Sequence, residues 1–144
     1  MSDDLRRVAD ELAIRNILAR VAHLADEGDL NEYISYFAED ASWGFIAPPG
    51  EAPKIAPKKG RADILSGAQD RRRAGTQGPG THTRHVLSTT WVKLDGDTAT
   101  SGSHLVFYRN CNTTPEIVNV TVYADRFIRT ADGWKLADRQ IRLG

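Results

Sequence analysis

The chain has 144 residues, with 19 Lys plus Arg against 19 Asp plus Glu and a formal net charge of zero. That length suits one ordinary domain, residues 1–144, with a single sizeable core. Balanced charge without a basic face or nucleic-acid motif argues against a polyanion partner, and a lone cysteine, Cys111, excludes an internal disulfide.

The N-terminal MSDDLRRVADEL is charged and lacks the apolar segment of a secretory signal. No run approaches the ~20 apolar residues needed to span a bilayer. A soluble cytoplasmic protein without a membrane partner is expected. Leu5, Val8, Leu12, Ile14, Ile17, Leu18, Val21, Leu24 and Ala25 recur at helical spacing. Gly28 in EGD supplies the stop, at the C′ position. Asp29 then caps a short second helix carrying Leu30, Tyr33, Ile34 and Phe37, with Glu32 as its capping-box partner. SWGFI reads as a first strand. The stretch 47–60, with Pro48, Pro49, Pro53 and Pro57, reads as a long loop. RADILSGAQDRRRAG reads as a third helix, broken by TQGPG. The basic runs at 57–59 and 71–73 read as solvated loop and helix surface.

The second half alternates as strands. Thr83–Leu94 and Thr98–Tyr108 flank Asp95-Gly96, a strong two-residue hairpin signal. Glu116–Thr130, a turn at ADG, and Trp134–Leu143 follow. Helices ahead of an antiparallel meander make an α+β pattern, the helices covering one face of a curved sheet.

Each arm of the hairpin carries a histidine. With Asp95-Gly96 as the loop, Leu94 faces Asp97 and His104 falls opposite Leu87. His85 and His104 then become diagonal neighbours on one face, their Cα atoms about 7–8 Å apart. Both faces of the hairpin are mixed, so alternation does not choose the inner one. A lone strand histidine is usually packing rather than chemistry; two on one face make a site worth testing. Asp26, at the flank of the helical apolar stripe, is the candidate third group. Helix C-termini disfavour acids, and a buried carboxylate needs a partner. An Asp–His pair is a workable base, since the carboxylate holds the imidazole tautomer and its charge.

LADEGDLNEYISYFAEDASWGF, GRADIL, TRHVLSTTWVKLDGDTAT and YADRFIRTADGWKLADRQIRL together resemble the SnoaL-like branch of the NTF2-like, cystatin-like superfamily. Within it the pattern is most similar to scytalone dehydratase: DEGD places Asp26, TRH places His85 and GSH places His104 at positions that are active-site residues in that family. Bile-acid dehydratases and lindane dehydrochlorinases resemble the chain at Asp26 and His85. The resemblance implies an α+β cone with these three residues facing its interior. It departs where that family carries tyrosines, here Ala25 and Trp43, so the fungal substrate is not carried over. Tyr123 and Thr121 fall near the family's polar strand positions. Ketosteroid isomerases and limonene epoxide hydrolases fit less well, because SWGFIAP has no acid and His104 occupies an inward position of the hydrolase set.

The resulting expectation is a cofactor-independent, dehydratase-type lyase for a small cyclic, apolar substrate. His85 is the base, Asp26 its support, and His104 the group that binds a substrate oxygen. Trp43, Phe45, Trp91, Thr121 and Tyr123 are the expected substrate contacts, with no metal. The alternatives are an isomerase or cyclase on a steroid- or polyketide-like substrate, and a non-catalytic module similar to the β subunits of ring-hydroxylating oxygenases. The resemblance also implies a homodimer or homotrimer.

Overall fold

The computed structural model describes residues 2–144. Ser2 caps the first helix, α1 (Asp3–Glu27), its side chain accepting from Leu5 N at 3.3 Å, and Asp3 and Asp4 lie at the positive end of the helix dipole. Only the second half of α1 is core: Ile14, Ile17, Leu18, Val21, Leu24 and Ala25 are buried, whereas Leu5, Val8 and Leu12 are exposed. Gly28 ends the helix, but not in the left-handed conformation expected of it; its φ is −104°. It is needed for space, because a Cβ there would come within 2.4 Å of Leu24 Cδ2. Asp29 caps α2 (Leu30–Ser35) by accepting from Asn31 N at 3.0 Å. Glu32 does not close the expected capping box and instead pairs with Arg20.

Strand β1 (Phe37–Phe45) begins earlier than the sequence suggests, taking in Phe37, expected in the second helix, and the four residues that follow it. A short β2 (Lys58–Lys59), α3 (Arg61–Arg73), and the long strands β3 (Arg84–Asp95), β4 (Thr98–Arg109), β5 (Glu116–Thr130) and β6 (Gly133–Leu143) complete the chain. The six strands form one sheet in the order β2-β1-β6-β5-β4-β3, mostly antiparallel, with β1 parallel to β6. The three helices lie against it, so the expected α+β architecture holds. The core between them includes Phe37, Phe127, Ile14, Ile64 and Leu136, each 0–1% exposed; burying side chains of this size stabilises by about 1.5–3 kcal/mol apiece.

Two details of the β3–β4 hairpin control the site. Asp95 pairs with Thr98, so the turn residues are Gly96 and Asp97, one position later than expected. Gly96, at φ 59°, takes the positive-φ position of this two-residue turn. That slip alone would leave both histidines on one face. A β-bulge then intervenes. Between the pairs Ser88–His104 and Trp91–Gly102, β3 places Thr89 and Thr90 opposite the single residue Ser103. Thr89 carries the bulge at φ 53°, and Thr90 Oγ1 lies 3.1 Å from Ser103 Oγ. One extra residue exchanges the faces of everything beyond it. His85 therefore pairs with Phe107 and Leu87 with Leu105, while His104 faces Ser88 and Val122 on the other side of the sheet.

Candidate active site

His85 opens β3 beside the last turn of α1. Its backbone N donates to both oxygens of Asp26, at 3.0 and 3.2 Å, and its Nδ1 lies 2.5 Å from Asp26 Oδ1. The Asp26 side chain is 6% exposed and that of His85 14%. An ionised carboxylate can only accept, so Nδ1 carries the hydrogen, and in the neutral imidazole Nε2 keeps its lone pair. The ring is packed against Phe107, centroids 4.6 Å apart.

The carboxylate sits where a helix dipole opposes it, and α3 supplies the remedy. Arg72 Nη2 donates to the carbonyls of Leu24, at 2.8 Å, and Gly28, at 2.7 Å. The Leu24 carbonyl also accepts from Gly28 N at 3.0 Å, so the guanidinium adds a second donor there and bridges the last turn of the helix to the residue that ends it. Gly78 lets the following loop pass over the arginine stem, since a Cβ there would come within 2.7 Å of Arg72 Cγ.

His85 lines a cavity of about 330 Å³ between α1, α2, α3 and the inner face of the sheet. That is the lower end of the range for small-molecule sites. Val21, Ala25, Leu87, Leu105, Phe107 and Ile141 supply apolar wall. Tyr33, Arg71, Gln77, Asn119, Thr121 and Tyr123 bring polar groups to it. Arg139, also in the cavity lining, forms a two-pronged ion pair with Asp125, at 2.8 and 2.9 Å, across the β5–β6 ladder. The Tyr123 ring lies 4.1 Å from that guanidinium. Burial pushes the Tyr123 hydroxyl up to about 12 against the pull of Arg139. Burial likewise raises Tyr33 above its ordinary value. Both phenols therefore stay protonated at neutral pH and can donate hydrogen bonds. Among the described residues no cluster of three or more His, Cys, Asp or Glu side chains could hold a metal ion, and no helix is long and apolar enough to cross a membrane.

A profile of the SnoaL-like domain matches residues 6–140. The chain belongs to the SnoaL-like family. No protein of curated function matches it. Among solved structures, an NTF2-like protein with a cystatin-like fold from Novosphingobium aromaticivorans is 30% identical, with a TM-score of 0.84 over 97% of this chain and 85% of that one. A candidate dehydratase of the NTF2-like family from Streptomyces avermitilis is 16% identical, with a TM-score of 0.73 over 94% and 97% of the two chains. The β subunit of a candidate aromatic-ring-hydroxylating dioxygenase from N. aromaticivorans is 18% identical, with a TM-score of 0.76 over 96% and 91%. The last two similarities concern the fold.

Of the residues singled out from the sequence, this SnoaL-like chain brings His85, Trp43, Phe45, Thr121 and Tyr123 to the cavity, with Asp26 directly behind His85. Two do not reach it. His104 is exposed on the outer face of the sheet, turned there by the bulge at Thr89. Trp91 lies on that same outer face, 54% exposed, over Gly102, where a Cβ would come within 2.3 Å of its Nε1. The expected pairing of His85 with His104 is thus corrected. So is the basic run at 71–73: only Arg73 is exposed, while Arg72 holds the end of α1 and Arg71 lines the cavity. Sequence reasoning also missed Tyr33, Gln77 and the Arg139–Asp125 pair. The available signal for the pair was charge at inward strand positions, alternating in step with Tyr123 and Phe127.

Proposed function

We propose that the protein is a dehydratase-type lyase in which the Asp26–His85 pair removes a proton from a small cyclic substrate. The observation carrying this reading is the buried carboxylate bonded to Nδ1, which leaves Nε2 as the basic nitrogen of a ring that lines a small, largely apolar cavity. On a β-hydroxy carbonyl compound, Nε2 takes the proton from the carbon next to the carbonyl. The electron pair of that C–H bond forms the C=C bond as the C–O bond to the hydroxyl breaks. The imidazolium returns the proton to the departing hydroxide, releasing water and neutral His85. Asp26 stabilises the imidazolium between these steps. In this reading the phenols of Tyr33 and Tyr123, which line the cavity, hydrogen-bond the carbonyl oxygen as negative charge develops on it, a role that His104 cannot fill from the outer face. General acid–base transfer of this kind contributes about 10²–10⁴-fold.

Isomerisation follows from the same pair if the proton returns to a different carbon, and cyclisation if the carbanion instead attacks a second carbonyl of the substrate, whose C=O π pair becomes an alkoxide that takes the proton from the imidazolium. A non-catalytic subunit is the second reading. It is favoured by the outer sheet face, where Val86, Trp91 and Val120 are 46–54% exposed and could meet another copy of the chain or a larger subunit.

The test is a panel of cyclic β-hydroxy ketones, followed by mass spectrometry for loss of water and by NMR for α-proton exchange in D₂O. Wild type is expected to turn over at least one compound, and His85→Ala to abolish turnover with an unchanged near-UV circular dichroism spectrum. Near-full activity in His85→Ala would sink the mechanism; bound panel members that neither exchange nor eliminate favour the subunit reading.

A further inference from the structure

Two arginines line the cavity, and their situations differ. Arg139 is neutralised by Asp125. Arg71 has no carboxylate within 4 Å among the described residues. Among the described residues no acidic side chain lines the cavity, Asp26 lying behind the His85 ring. A half-buried guanidinium facing a cavity without a counter-anion is an unfinished ion pair.

Its setting is also rigid. One face of the Arg71 guanidinium lies 4.7 Å from the Trp43 ring centroid. Gly67, one turn earlier in α3, makes room for it: a Cβ there would stand 3.3 Å from Arg71 Nη1 and 3.2 Å from Lys58 Cε. A stacked guanidinium keeps its N–H edge available, and that edge matches a carboxylate with two parallel hydrogen bonds. A second observation is independent of charge. Thr121 Oγ1 is buried without a hydrogen-bond partner, and the residue, 1% exposed, lines the same cavity. Gln77, 6% exposed, adds an amide to that lining. Native interiors rarely leave a buried hydroxyl unpaired unless a ligand or water completes it. Tyr33 and Tyr123 line the same cavity as Arg71.

We propose that Arg71 is the anion anchor of this cavity, with Thr121 and Gln77 as its neutral partners, and that the molecule handled by the Asp26–His85 pair carries a carboxylate. This rests on the acid–base reading of the site and narrows its substrate class from cyclic apolar compounds to cyclic carboxylates.

The probes are cyclohexanecarboxylate and cyclohexanecarboxamide, alike in shape and different in charge, titrated into the full chain at neutral pH by calorimetry and by amide-resonance shifts. Wild type is expected to bind the carboxylate about tenfold or more tightly than the carboxamide. Arg71→Gln should erase that ratio while changing carboxamide affinity by less than about threefold, and Arg71→Lys should retain part of it. A purely structural role for Arg71 would weaken both ligands alike and leave the ratio intact. Equal affinities in wild type, an intact ratio in Arg71→Gln, or no saturable carboxylate binding up to about 10 mM would each overturn the proposal. His85→Ala should keep the ratio, so failure of the base and failure of the anchor are read separately.

Discussion

Replacing Asp26 by Asn tests the dyad at nearly constant volume. In the native protein a single carboxylate serves both the backbone N of His85, at 3.0 Å, and its Nδ1, at 2.5 Å. Asparagine offers one acceptor and one donor in the same place. With its oxygen on the backbone N–H, its amide nitrogen faces Nδ1, which must then accept. The ring proton moves to Nε2, and the basic nitrogen is lost from the cavity side. A hydrogen bond to a charged group contributes about 1.5–3 kcal/mol, which corresponds to a swing of roughly 10- to 150-fold in the tautomer ratio. Long-range ¹H–¹⁵N correlations of the imidazole ring read the tautomer directly and need no substrate. Nδ1–H is expected in wild type and Nε2–H in Asp26→Asn. Turnover, once a substrate is in hand, should fall by about 10³–10⁴-fold, as in serine hydrolases where the same exchange inverts the tautomer. Nδ1–H in both proteins, or Nε2–H in wild type, would refute the reasoning.

Thr89 is a β-branched residue at φ 53°, a conformation that costs such residues about 1–3 kcal/mol. Thr89→Gly should raise the urea midpoint or leave it unchanged, despite the ~0.5–1 kcal/mol entropy cost of glycine; a loss well beyond that cost would show that the bulge carries no strain. Asp10 accepts from the Arg129 fork, at 2.9 and 2.7 Å, and from Trp134 Nε1, at 3.0 Å. The Arg129 hydrogen bonds hold its carboxyl below the ordinary 3.8, against the opposing effect of burial. Its folded value lies below its unfolded one, so its stabilisation is complete above the unfolded value and is lost as pH falls through the folded one. Between pH 5 and about 2.5 the urea midpoint of wild type should therefore drop further than that of Asp10→Asn; equal drops would remove Asp10 from the account.

Much of this protein was legible from pattern alone. Apolar spacing marked the buried stretch from Ile14 to Ala25, because a helix packed on a sheet must repeat its core face every three or four residues. Alternation and turn chemistry marked four long strands within a residue or two of their ends. Asp26 and His85 stood out as chemically reactive types in places where those types are unusual. Their contact depended on the sheet curving β3 back to the end of α1, and no local spacing encodes that. The fate of His104 turned on one residue. The Asp-Gly signal marks a turn but not the bulge at Thr89, since a threonine in a strand has no local signature of positive φ; that single unit of register moved His104 and Trp91 to the outer face. Arg71, Arg72 and Arg139 were hidden for a related reason. Charge reads as surface in a sequence, whereas the cavity buries it beside Trp43, against the carbonyls of α1, and opposite Asp125. Local chemistry determined which elements form and which residues can react; only the packed sheet and helices decided which of them share an interior, because faces and partners follow from register and long-range closure.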